Sequence, residues 1–433
     1  MSEWKKVKLG DYIDVLSGFA FKSKDFSDSG IPVIKIKNVC PPYISLEDLS
    51  YVPNSIAFQN PRYILRKGDV LIAMTGSHIN QIASVVGRVG RVRYDAITVL
   101  NQRVGKIVNK NEAKSSLDYI YYYLSQYEVK VELAQKAGGA ANQANISPSD
   151  IKNLLFPYPP IGIQHRIATI LSRYDSLIEN YQKQIKLLEE AAQRLYKEWF
   201  VDLRFPGHEN TNIIDGVPEG WEKKKVNSII ELQSGFAFKS STFDDNGAYK
   251  IVTIKNVKDG AFDGDNVSRI VAIPEKMPKH CVLADGDILL SLTGNVGRVC
   301  IVNGKNYLLN QRVAKLATDY KAFAYCLFRS RDMFIEVNNL ANGAAQQNVS
   351  PIRIGGIKML LPNMDMLQKF ESTASKLITR IIYLQSQLRL LTEARDRLLP
   401  KLMSGELTLE ARAEKEDLLA TPCKRGWEED EAK

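Results

Sequence analysis

Short apolar runs enclosed by turn residues recur in both halves of the chain. VLIAM (70–74) and ILLSL (288–292) each follow Gly-Asp and precede Thr-Gly. A short apolar run with turn residues on both sides predicts a buried strand. QRVGKIV (102–108) and QRVAKLA (311–317) have the pattern of further strands. We therefore expect a sheet in each half.

Helical spacing of apolar residues follows the strands in each half. The segment SLDYIYYYLSQYEVKVELAQ (116–135) has this spacing and ends close to Gly138-Gly139, a helix stop signal. FAYCLFRSRDMFIEVNNLA (323–341) occupies the same place in the second half. The pattern predicts one helix over each segment, so each half contains a globe of mixed sheet and helix.

Two longer segments keep an apolar period of alternating three- and four-residue steps, which is typical of a coiled-coil seam. Two such seams most simply pair with each other; in the alternative, each helix packs on its own globe. Arg395 is the one polar residue in either seam. The first seam contains Ile167, Leu171, Tyr174, Ile178, Tyr181, Ile185, Leu188, Ala192, Leu195 and Trp199. The second contains Leu367, Phe370, Ala374, Leu377, Ile381, Leu384, Leu388, Leu391, Arg395, Leu398 and Leu402.

The two halves also contain identical or closely similar sequence segments. SGFAFKS stands at 17–23 and again at 234–240, and NQRV stands at 101–104 and 310–313. IKIKNV (34–39) matches VTIKNV (252–257), and GDVLIAMTG (68–76) matches GDILLSLTG (286–294). A repeat of about 200 residues that keeps this order predicts a duplicated domain, each copy followed by a long helix.

The sequence thus predicts an α+β fold with approximate two-fold symmetry, in which two similar α/β domains are separated by an antiparallel coiled coil of two long helices. We expect five parts along the chain. They are a first globe (1–160), a long helix with its linker (161–206), a second globe (207–363), a second long helix (364–411) and a charged tail without fixed structure (412–433).

Charge and composition narrow the class of protein. The net charge of +9 suggests a polyanionic partner such as nucleic acid, although a merely basic protein has the same balance. No apolar run is long enough to span a bilayer, and the start MSEWKKVKLG has no signal core, so a cytoplasmic location is expected. The scattered cysteines and histidines argue against a disulfide frame and against a metal site.

Catalytic motifs are not evident. CPPY (40–43) resembles a motif of amino-methyltransferases, but Cys40 lacks the side-chain oxygen that the chemistry needs, so we interpret it as a loop. DIK (150–152) is compatible with a nuclease cluster, but the second copy has RIG (353–355) there. Neither a phosphate-binding glycine loop nor a nucleophile triad signature is present. No residue is predicted to be catalytic or to bind a metal, which favours a binding protein.

Several polar side chains at loops and strand ends are candidates for DNA contact, since amides and arginines read base edges or hold phosphates. Each is equally consistent with a surface turn, and the aromatic residues of SGFAFKS are expected in the core. Arg103 and Arg312 in NQRV are equally consistent with DNA contact and with structural pairs. The amide-rich ANQANIS (141–147) and AAQQNVS (344–350) favour a structural role. The candidates are Lys22, Lys35, Lys37, Asn38, Ser77, His78, Asn80, Gln81, Arg88, Arg91 and Arg93 in the first half, and Lys239, Lys255, Asn256, Asn295 and Arg298 in the second.

The order of these parts resembles the specificity (S) subunit of type I restriction–modification systems. ISPSDIKNLLFPYPPIGIQHRIATIL (146–171) resembles the end of a target-recognition domain and the start of a conserved helix. LEEAAQRLYKEWFVDLRFPG (188–207) and LTEARDRLLPKLMSGEL (391–407) resemble the central and distal conserved regions. The resemblance covers nearly the whole chain.

The resemblance implies a non-catalytic subunit. Each globe would be a target-recognition domain that reads one half of a bipartite, asymmetric DNA site. The paired helices would set the spacer and dock two methyltransferase (M) subunits, and motor–nuclease (R) subunits would complete the complex. S-adenosylmethionine, ATP and Mg would then bind to the partner subunits, with no cofactor in this chain.

Other assignments stay open from the sequence. A related system whose partner fuses methylation and cleavage would use a similar specificity subunit. A stand-alone DNA methyltransferase or nuclease with dispersed catalytic residues is a further alternative, and an adaptor whose coiled coil binds only proteins is another. The sequence does not give the bases that are recognised.

Overall fold

The structure is a computed structural model that describes residues 4–77, 85–137, 144–265, 267–341, 347–407 and 409. Two compact units divide the chain. Unit 1 contains Met1–Asp175 and Glu393–Lys433, and unit 2 contains Ser176–Thr392. Each unit therefore holds one predicted globe together with parts of both long helices. The five-part division of the sequence stays a prediction.

Unit 1 is built from short strands and helices. Its helices are α1 (Asn54–Phe58), α2 (Leu117–Leu124), α3 (Tyr127–Lys136) and α4 (Pro148–Lys152), followed by the first residues of the long helix α5 (Ile161–Tyr196). Its strands are β1 (Lys6–Lys8), β2 (Ile13–Ser17), β3 (Ile31–Ile34), β4 (Val39–Cys40), β5 (Tyr43–Ile44), β6 (Ser50–Val52), β7 (Ile64–Leu65), β8 (Val70–Ala73), β9 (Thr75–Gly76), β10 (Val89–Arg91), β11 (Thr98–Leu100), β12 (Val104–Asn109), β13 (Ala144–Asn145) and β14 (Leu155–Pro157).

Unit 2 repeats this plan. Its helices are α6 (Lys321–Arg329), α7 (Arg331–Ala341), α8 (Pro351–Gly355) and most of the long helix α9 (Met364–Ser404). Its strands are β15 (Ile213–Ile214), β16 (Val217–Pro218), β17 (Glu222–Lys225), β18 (Glu231–Ser234), β19 (Tyr249–Val252), β20 (Ser268–Ile270), β21 (Val282–Leu283), β22 (Ile288–Ser291), β23 (Val299–Ile301), β24 (Tyr307–Leu309), β25 (Val313–Ala317) and β26 (Lys358–Leu361).

Corresponding strands pair in the same order in the two units. In unit 1, one sheet has the order β2-β12-β8-β10-β5-β4 and another has the order β6-β3-β11-β7. In unit 2, the corresponding orders are β18-β25-β22-β23 and β20-β19-β24-β21. The strands β8 and β22, predicted from VLIAM and ILLSL, are buried along their whole length. The predicted duplication and the mixed α/β class are confirmed.

The repeated SGFAFKS and NQRV segments contact each other where the chain crosses between the sheets of a unit. The Phe19 N–H donates to the Leu100 carbonyl at 2.9 Å, and the Phe236 N–H donates to the Leu309 carbonyl at 2.8 Å. A Cβ on Gly18 would lie 2.3 Å from the Asn101 carbonyl oxygen. Gly235 has the same relation to Asn310, also at 2.3 Å. Two backbones approach here so closely that only glycine fits.

The single helices predicted over 116–135 and 323–341 are wrong in one respect, because each segment forms two helices. Gln126 and Ser330, where the helices separate, have extended backbone. The Ser125 hydroxyl donates to the Tyr121 carbonyl and the Ser330 hydroxyl to the Leu327 carbonyl, both at 2.7 Å. Such local side-chain bonds compete with helix propagation, so the apolar period continues across a break that the pattern does not reveal.

In unit 1, the first turns of α5 pack with the last turns of α9. Ile167 and Leu171 of α5 and Leu402 of α9 share one buried cluster with the domain core, and Leu398 packs against it. Asp175 lies at the edge of this region and is 2 % exposed. Its carboxylate lies 3.0 Å from Nη1 of Arg395.

Asp175 and Arg395 belong to a buried polar network in unit 1. The Tyr122 hydroxyl donates to Oδ2 of Asp175 at 2.7 Å, and Nη2 of Arg93 lies 3.5 Å from the same oxygen. Burial, and then the Asp175 carboxylate, raises the pKa of Tyr122. Burial acts to lower the pKa of Arg395, but its contacts with Asp396 and Asp175 raise it overall. The polar residue in the second predicted seam therefore has a charge partner.

In unit 2, the end of α5 and the π-helical turn that directly follows it (Lys197–Val201) pack with the first turns of α9. Phe200 lies 4.8 Å from Phe370 and 5.2 Å from Phe323 of α6, between ring centroids. Trp199 lies 5.6 Å from Phe370. The cluster also contains Ala192, so α5 adds side chains to the core around the second globe.

Every residue of the two predicted seams is buried or half-buried. Within each unit the helices pack both on one another and on the globe. The two alternatives drawn from the sequence are therefore combined. That the helices form a coiled coil in the strict sense stays a prediction.

Within the described residues, no helix has both the length and the apolar character that crossing a bilayer requires. Groups of three or more His, Cys, Asp or Glu side chains that could hold a metal ion are likewise not found in that part of the chain.

Gly18→Ala tests the close contact between the repeated segments. The added methyl meets the Asn101 backbone, so we expect a loss of about 1–3 kcal/mol in the free energy of unfolding, as for overpacked cores. Gly162→Ala is the matched control, because its Cβ meets nothing within 4 Å on α5. We expect Gly162→Ala to be neutral or to stabilise by up to about 1 kcal/mol. Urea denaturation measures both, and equal stabilities would contradict the packing argument.

Asp175→Ala tests the buried network. Removing the carboxylate takes the buried acceptor from the Tyr122 hydroxyl and leaves the half-buried Arg395 with the exposed Asp396 as its carboxylate partner. We therefore expect a loss of about 3–5 kcal/mol on unfolding in urea. Glu190→Ala is the control, since Glu190 forms an exposed ion pair with Lys186. Its removal should change stability by less than about 1 kcal/mol. A loss for Asp175→Ala no larger than that of the control would show that the network contributes little.

Candidate nucleic-acid interface

Asn38 and Asn256 occupy the same turn in the two units, and burial argues against the predicted DNA contact. They are 1 % and 0 % exposed. Oδ1 of Asn38 accepts from the Lys35 N–H at 3.1 Å, and its Nδ2 donates to the Glu47 carbonyl at 3.0 Å. Oδ1 of Asn256 accepts from the Thr253 N–H at 2.8 Å. Both amides are hydrogen-bonded within their own loops, so the prediction for these two residues is corrected to a structural role.

The lysines beside these turns differ in their availability. Nζ of Lys35 donates to the Ser50 hydroxyl at 2.8 Å and lies 4.2 Å from the centroid of the Phe26 ring. Burial lowers the pKa of Lys35. Lys37 forms an ion pair with Asp48 at the surface. Lys255, its counterpart in unit 2, is exposed. Lys37 and Lys255 can therefore reach a phosphate, while Lys35 is half-buried.

Lys22 and Lys239 end the repeated SGFAFKS segment and are both exposed. The Lys22 N–H donates to Oδ2 of Asp25 at 2.7 Å, which fixes the start of a short turn. The preceding phenylalanines, Phe19 and Phe236, pack against the sheet cores. The aromatic side chains are thus part of the core, as expected, and the two lysines lie at the surface.

The loop after β9 was predicted to hold most contacts of unit 1. His78, Asn80 and Gln81 lie outside the described residues, and Ser77 is half-buried. Arg88 is half-buried and lines a cleft of about 310 Å³ together with Lys130 and Tyr127. This cleft places two cations beside an exposed aromatic ring.

Arg91 and Arg93 of this segment are occupied within unit 1. Nη2 of Arg91 lies 2.7 Å from Oδ1 of Asp118, and its guanidinium lies 4.5 Å from the centroid of the Tyr121 ring. Burial raises the pKa of Tyr121 to about 12. Arg93 is held by Asp175. These two arginines brace the loop, so a direct role in reading bases does not fit their contacts.

The corresponding loop of unit 2 is shorter. Asn295 is exposed, and its carbonyl accepts from the Ser291 hydroxyl. The Arg298 N–H donates to the same hydroxyl oxygen at 3.0 Å. Asn295 therefore keeps its amide at the surface, while the Arg298 backbone is fixed at the base of the loop.

The segments that resembled catalytic motifs have structural contacts. The Pro42 carbonyl of CPPY accepts from the Arg91 N–H at 3.1 Å and from the Tyr121 hydroxyl at 3.3 Å. Oδ2 of Asp150 in DIK accepts from the Ser147 N–H at 2.7 Å, and Lys152 lies 3.3 Å from Asp14. These bonds support the interpretation of both segments as loop and helix-cap structure.

A polar cluster whose amides were expected to have a structural role also reaches the surface. In unit 1, Thr75, Arg103 and Asn145 come together, and in unit 2 the corresponding residues Thr293 and Asn348 lie beside Arg312. From the sequence, both arginines fit a DNA contact and a structural pair equally. The signal that could have found the cluster is the recurrence of Thr-Gly, NQRV and Asn-x-Ser-Pro in both copies.

Comparisons with known proteins agree with this architecture. The family model described as the type I restriction modification DNA specificity domain matches residues 1–190 and again residues 218–388. The chain is 28 % identical to the type I restriction enzyme MjaIX specificity subunit of Methanocaldococcus jannaschii, with 94 % of each protein covered. It is 22 % identical to the EcoBI specificity subunit of Escherichia coli, covering 96 % of this chain and 89 % of the relative.

A solved structure shares the fold. The S subunit of a type I restriction–modification system from M. genitalium superposes with a TM-score of 0.60 at 18 % identity, covering 92 % of this chain and 96 % of that one. Together with the two matches to the specificity domain, which cover most of the sequence, this confirms the resemblance drawn from the motifs. The chain belongs to the type I restriction–modification DNA specificity family and carries the family's specificity domain twice.

Proposed function

We propose that this chain is the DNA sequence-recognition subunit of a type I restriction–modification complex. Each domain reads one half of a bipartite, asymmetric site and directs adenine methylation and restriction to it. The observation that carries this proposal is the pair of specificity domains in one chain. The net charge of +9 supports a DNA partner.

The differences between the two domains support an asymmetric site. The framework strands correspond one to one, but the loops between them differ. Unit 1 has β4 and β5 at the edge of its sheet and a long segment between β9 and β10. The matching segment of unit 2 contains Asn295 and runs only from Thr293 to Arg298. Different loops on a common framework present different groups to the two half-sites.

The proposed partners follow from the duplication. Two similar copies present similar surfaces, so two identical methyltransferase subunits can dock to one chain. The chain then needs no active site of its own, and S-adenosylmethionine, ATP and Mg belong to the methyltransferase and motor–nuclease subunits. The paired helices α5 and α9 provide the docking surface and set the spacer between half-sites.

The purified chain should bind duplex DNA and should not methylate it. We expect the affinity to fall steeply between about 50 and 200 mM salt, because phosphate contacts release counterions. Labelled S-adenosylmethionine should give DNA methylation only after the methyltransferase subunit encoded with it is added. Filter binding and scintillation counting measure the two quantities.

Two results would contradict the assignment. Methyl transfer by the chain alone would identify an enzyme, and salt-independent or undetectable duplex binding by the complete complex would identify a protein-only adaptor. Heat-denatured chain, mixed with the same methyltransferase subunit, controls for methylation that the partner performs without this protein.

Inserting one heptad within residues 174–195 and one within 374–395 should lengthen the spacer. Seven residues add about 10.5 Å of helix, which corresponds to about three base pairs of duplex. The half-sites themselves should not change, since the reading loops are untouched. Long-read mapping of methylated adenines in cells that carry the complete system measures both.

The control replaces one heptad in each helix by another of the same length and apolar pattern, and the spacer should then stay as in the original protein. A methylated site with an unaltered spacer in the lengthened protein would show that the helices do not act as a ruler.

A further inference from the structure

The same cluster of a hydroxyl, an amide and a guanidinium is built in each unit beside the loop that follows Thr-Gly. In unit 1, Oγ1 of Thr75 donates to Oδ1 of Asn145 at 2.8 Å. Nη1 of Arg103 lies 3.4 Å from each of these two oxygen atoms. In unit 2, Oγ1 of Thr293 donates to Oδ1 of Asn348 at 2.9 Å.

Backbone hydrogen bonds hold both clusters in the same way. The Met74 N–H donates to the Arg103 carbonyl at 3.0 Å, and the Ile146 N–H donates to the Met74 carbonyl at 2.9 Å. In unit 2, the Leu292 N–H donates to the Arg312 carbonyl at 3.0 Å, and the Val349 N–H donates to the Leu292 carbonyl at 3.0 Å. The positions of the side chains are therefore set by the sheet and not by the loops.

Burial does not account for the arginines. Gln102, Arg103, Gln311 and Arg312 are all exposed, so the core does not need them. The shared framework explains why the chain turns at NQRV in both units, because Asn101 lies against Gly18 and Asn310 lies against Gly235. It does not explain why the two solvent-facing positions of that turn are the same glutamine and the same arginine in both copies.

The cluster of unit 2 opens into a polar cleft of about 340 Å³. Arg312, Gln311, Thr293, Asn348, Ser234 and Ser350 line it. Because Oδ1 of each asparagine accepts from the threonine, the N–H donors on its Nδ2 face away from that threonine. Over the part of the chain that the structure describes, neither Nδ2 has a hydrogen-bond partner.

We propose that each cluster binds one backbone phosphate of the DNA duplex, Arg103 with Asn145 in unit 1 and Arg312 with Asn348 in unit 2. This inference rests on the proposed function. A guanidinium and an amide that present N–H donors together suit the oxygens of a phosphodiester. Phosphates are present whatever the base sequence, so an identical contact serves two domains that read different half-sites.

Contact with a partner protein fits the cluster less well. The core of a protein interface is depleted in charged residues and rests on apolar and aromatic anchors. The large apolar side chains that line the cleft, Leu292 and Val349, are 3 % and 2 % exposed and cannot serve as anchors. The cluster also directly precedes the loop that holds Ser77 and Asn295, the candidates for reading DNA, on each domain.

The double variant Arg103→Gln, Arg312→Gln in the full chain tests the proposal. Duplex binding is measured by fluorescence anisotropy across salt, on a duplex of random sequence and on genomic fragments that carry the methylated site. We expect the slope of log affinity against log salt to lose about 1.8 in magnitude, about 0.9 for each phosphate contact. The loss should be the same on both kinds of DNA, since a phosphate carries no sequence.

Arg66→Gln with Arg331→Gln is the matched control. Both arginines are exposed, and one lies on each domain. Their substitution removes the same amount of charge as the test variant, but outside the two clusters. The control should keep the slope of the original protein. An equal loss in the control would show that overall charge sets the slope, and this would overturn the proposal.

The remaining outcomes separate the phosphate site from the proposed function. Salt-dependent binding by the original chain with an unaltered slope in the Arg103/Arg312 variant overturns the phosphate site alone. If the variant keeps the salt slope of the original chain but no longer co-purifies with the methyltransferase subunit, the clusters are assigned to protein docking instead. Absence of duplex binding by the original chain and by its complex overturns the proposed function, and the phosphate site with it. Thermal unfolding at the original temperature confirms that the variant is folded.

Discussion

The close contact between Gly18 and the Asn101 backbone, and between Gly235 and the Asn310 backbone, is the constraint on which each domain depends. The chain passes between the two sheets of a unit after β2 and before β12 in unit 1, and after β18 and before β25 in unit 2. In each unit these two crossings lie against each other. Hydrogen bonds from the phenylalanine that follows each glycine join the crossings into a local ladder. The relative position of the two sheets in a unit is set there, because a side chain on either glycine would force the backbones apart.

This contact explains why two separate stretches of sequence are repeated together. SGFAFKS and NQRV are partners in one piece of structure, because the glycine of the first lies against the backbone of the second in both units. The loops between these fixed crossings are under no such constraint. Unit 1 forms the strands β4 and β5 where unit 2 has an isolated antiparallel bridge between Val257 and Phe262. A duplicated framework with unequal loops is the arrangement expected when a common scaffold must present different recognition surfaces.

Much of the fold could be predicted from the sequence, because it follows from the spacing of apolar residues and from the internal repeat. The buried strands follow from apolar runs between turn residues. The long helices follow from the steps that place Ile167 and Leu171 on one face of α5, and Phe370 and Ala374 on one face of α9. The breaks at Gln126 and Ser330 could not be predicted in this way. They depend on whether a serine hydroxyl bonds to the preceding turn, and apolar spacing carries no information about that.

The candidate interface was less predictable than the fold, for a similar reason. Asn38 and Asn256 have the residue type and the loop position of DNA contacts, but their amides cap their own turns. Arg91 and Arg93 were chosen for their charge, and the structure places carboxylates beside both. Whether a polar side chain faces solvent or its own loop is decided by tertiary contacts that one sequence does not display. The proposed phosphate contacts of Arg103 and Arg312 rest instead on repetition, which marks these two residues without reference to residue type.

The buried network around Asp175 breaks the internal symmetry of the chain in an informative way. By the repeat of the two seams, Arg395 corresponds to Ala192, and Asp175 corresponds to Ile378. In unit 1 these two positions form the ion pair of Asp175 and Arg395. In unit 2 the corresponding positions are Ile378 and Ala192, which are apolar and buried. A buried ion pair adds little net stability over an apolar pair, but a charge placed opposite an apolar residue is costly. Exchanging the helix ends between the units would separate Asp175 from Arg395 and place Arg395 opposite an apolar position. We interpret the network as the feature that distinguishes two otherwise similar helix pairings, in the way that one polar position fixes the register of a coiled coil.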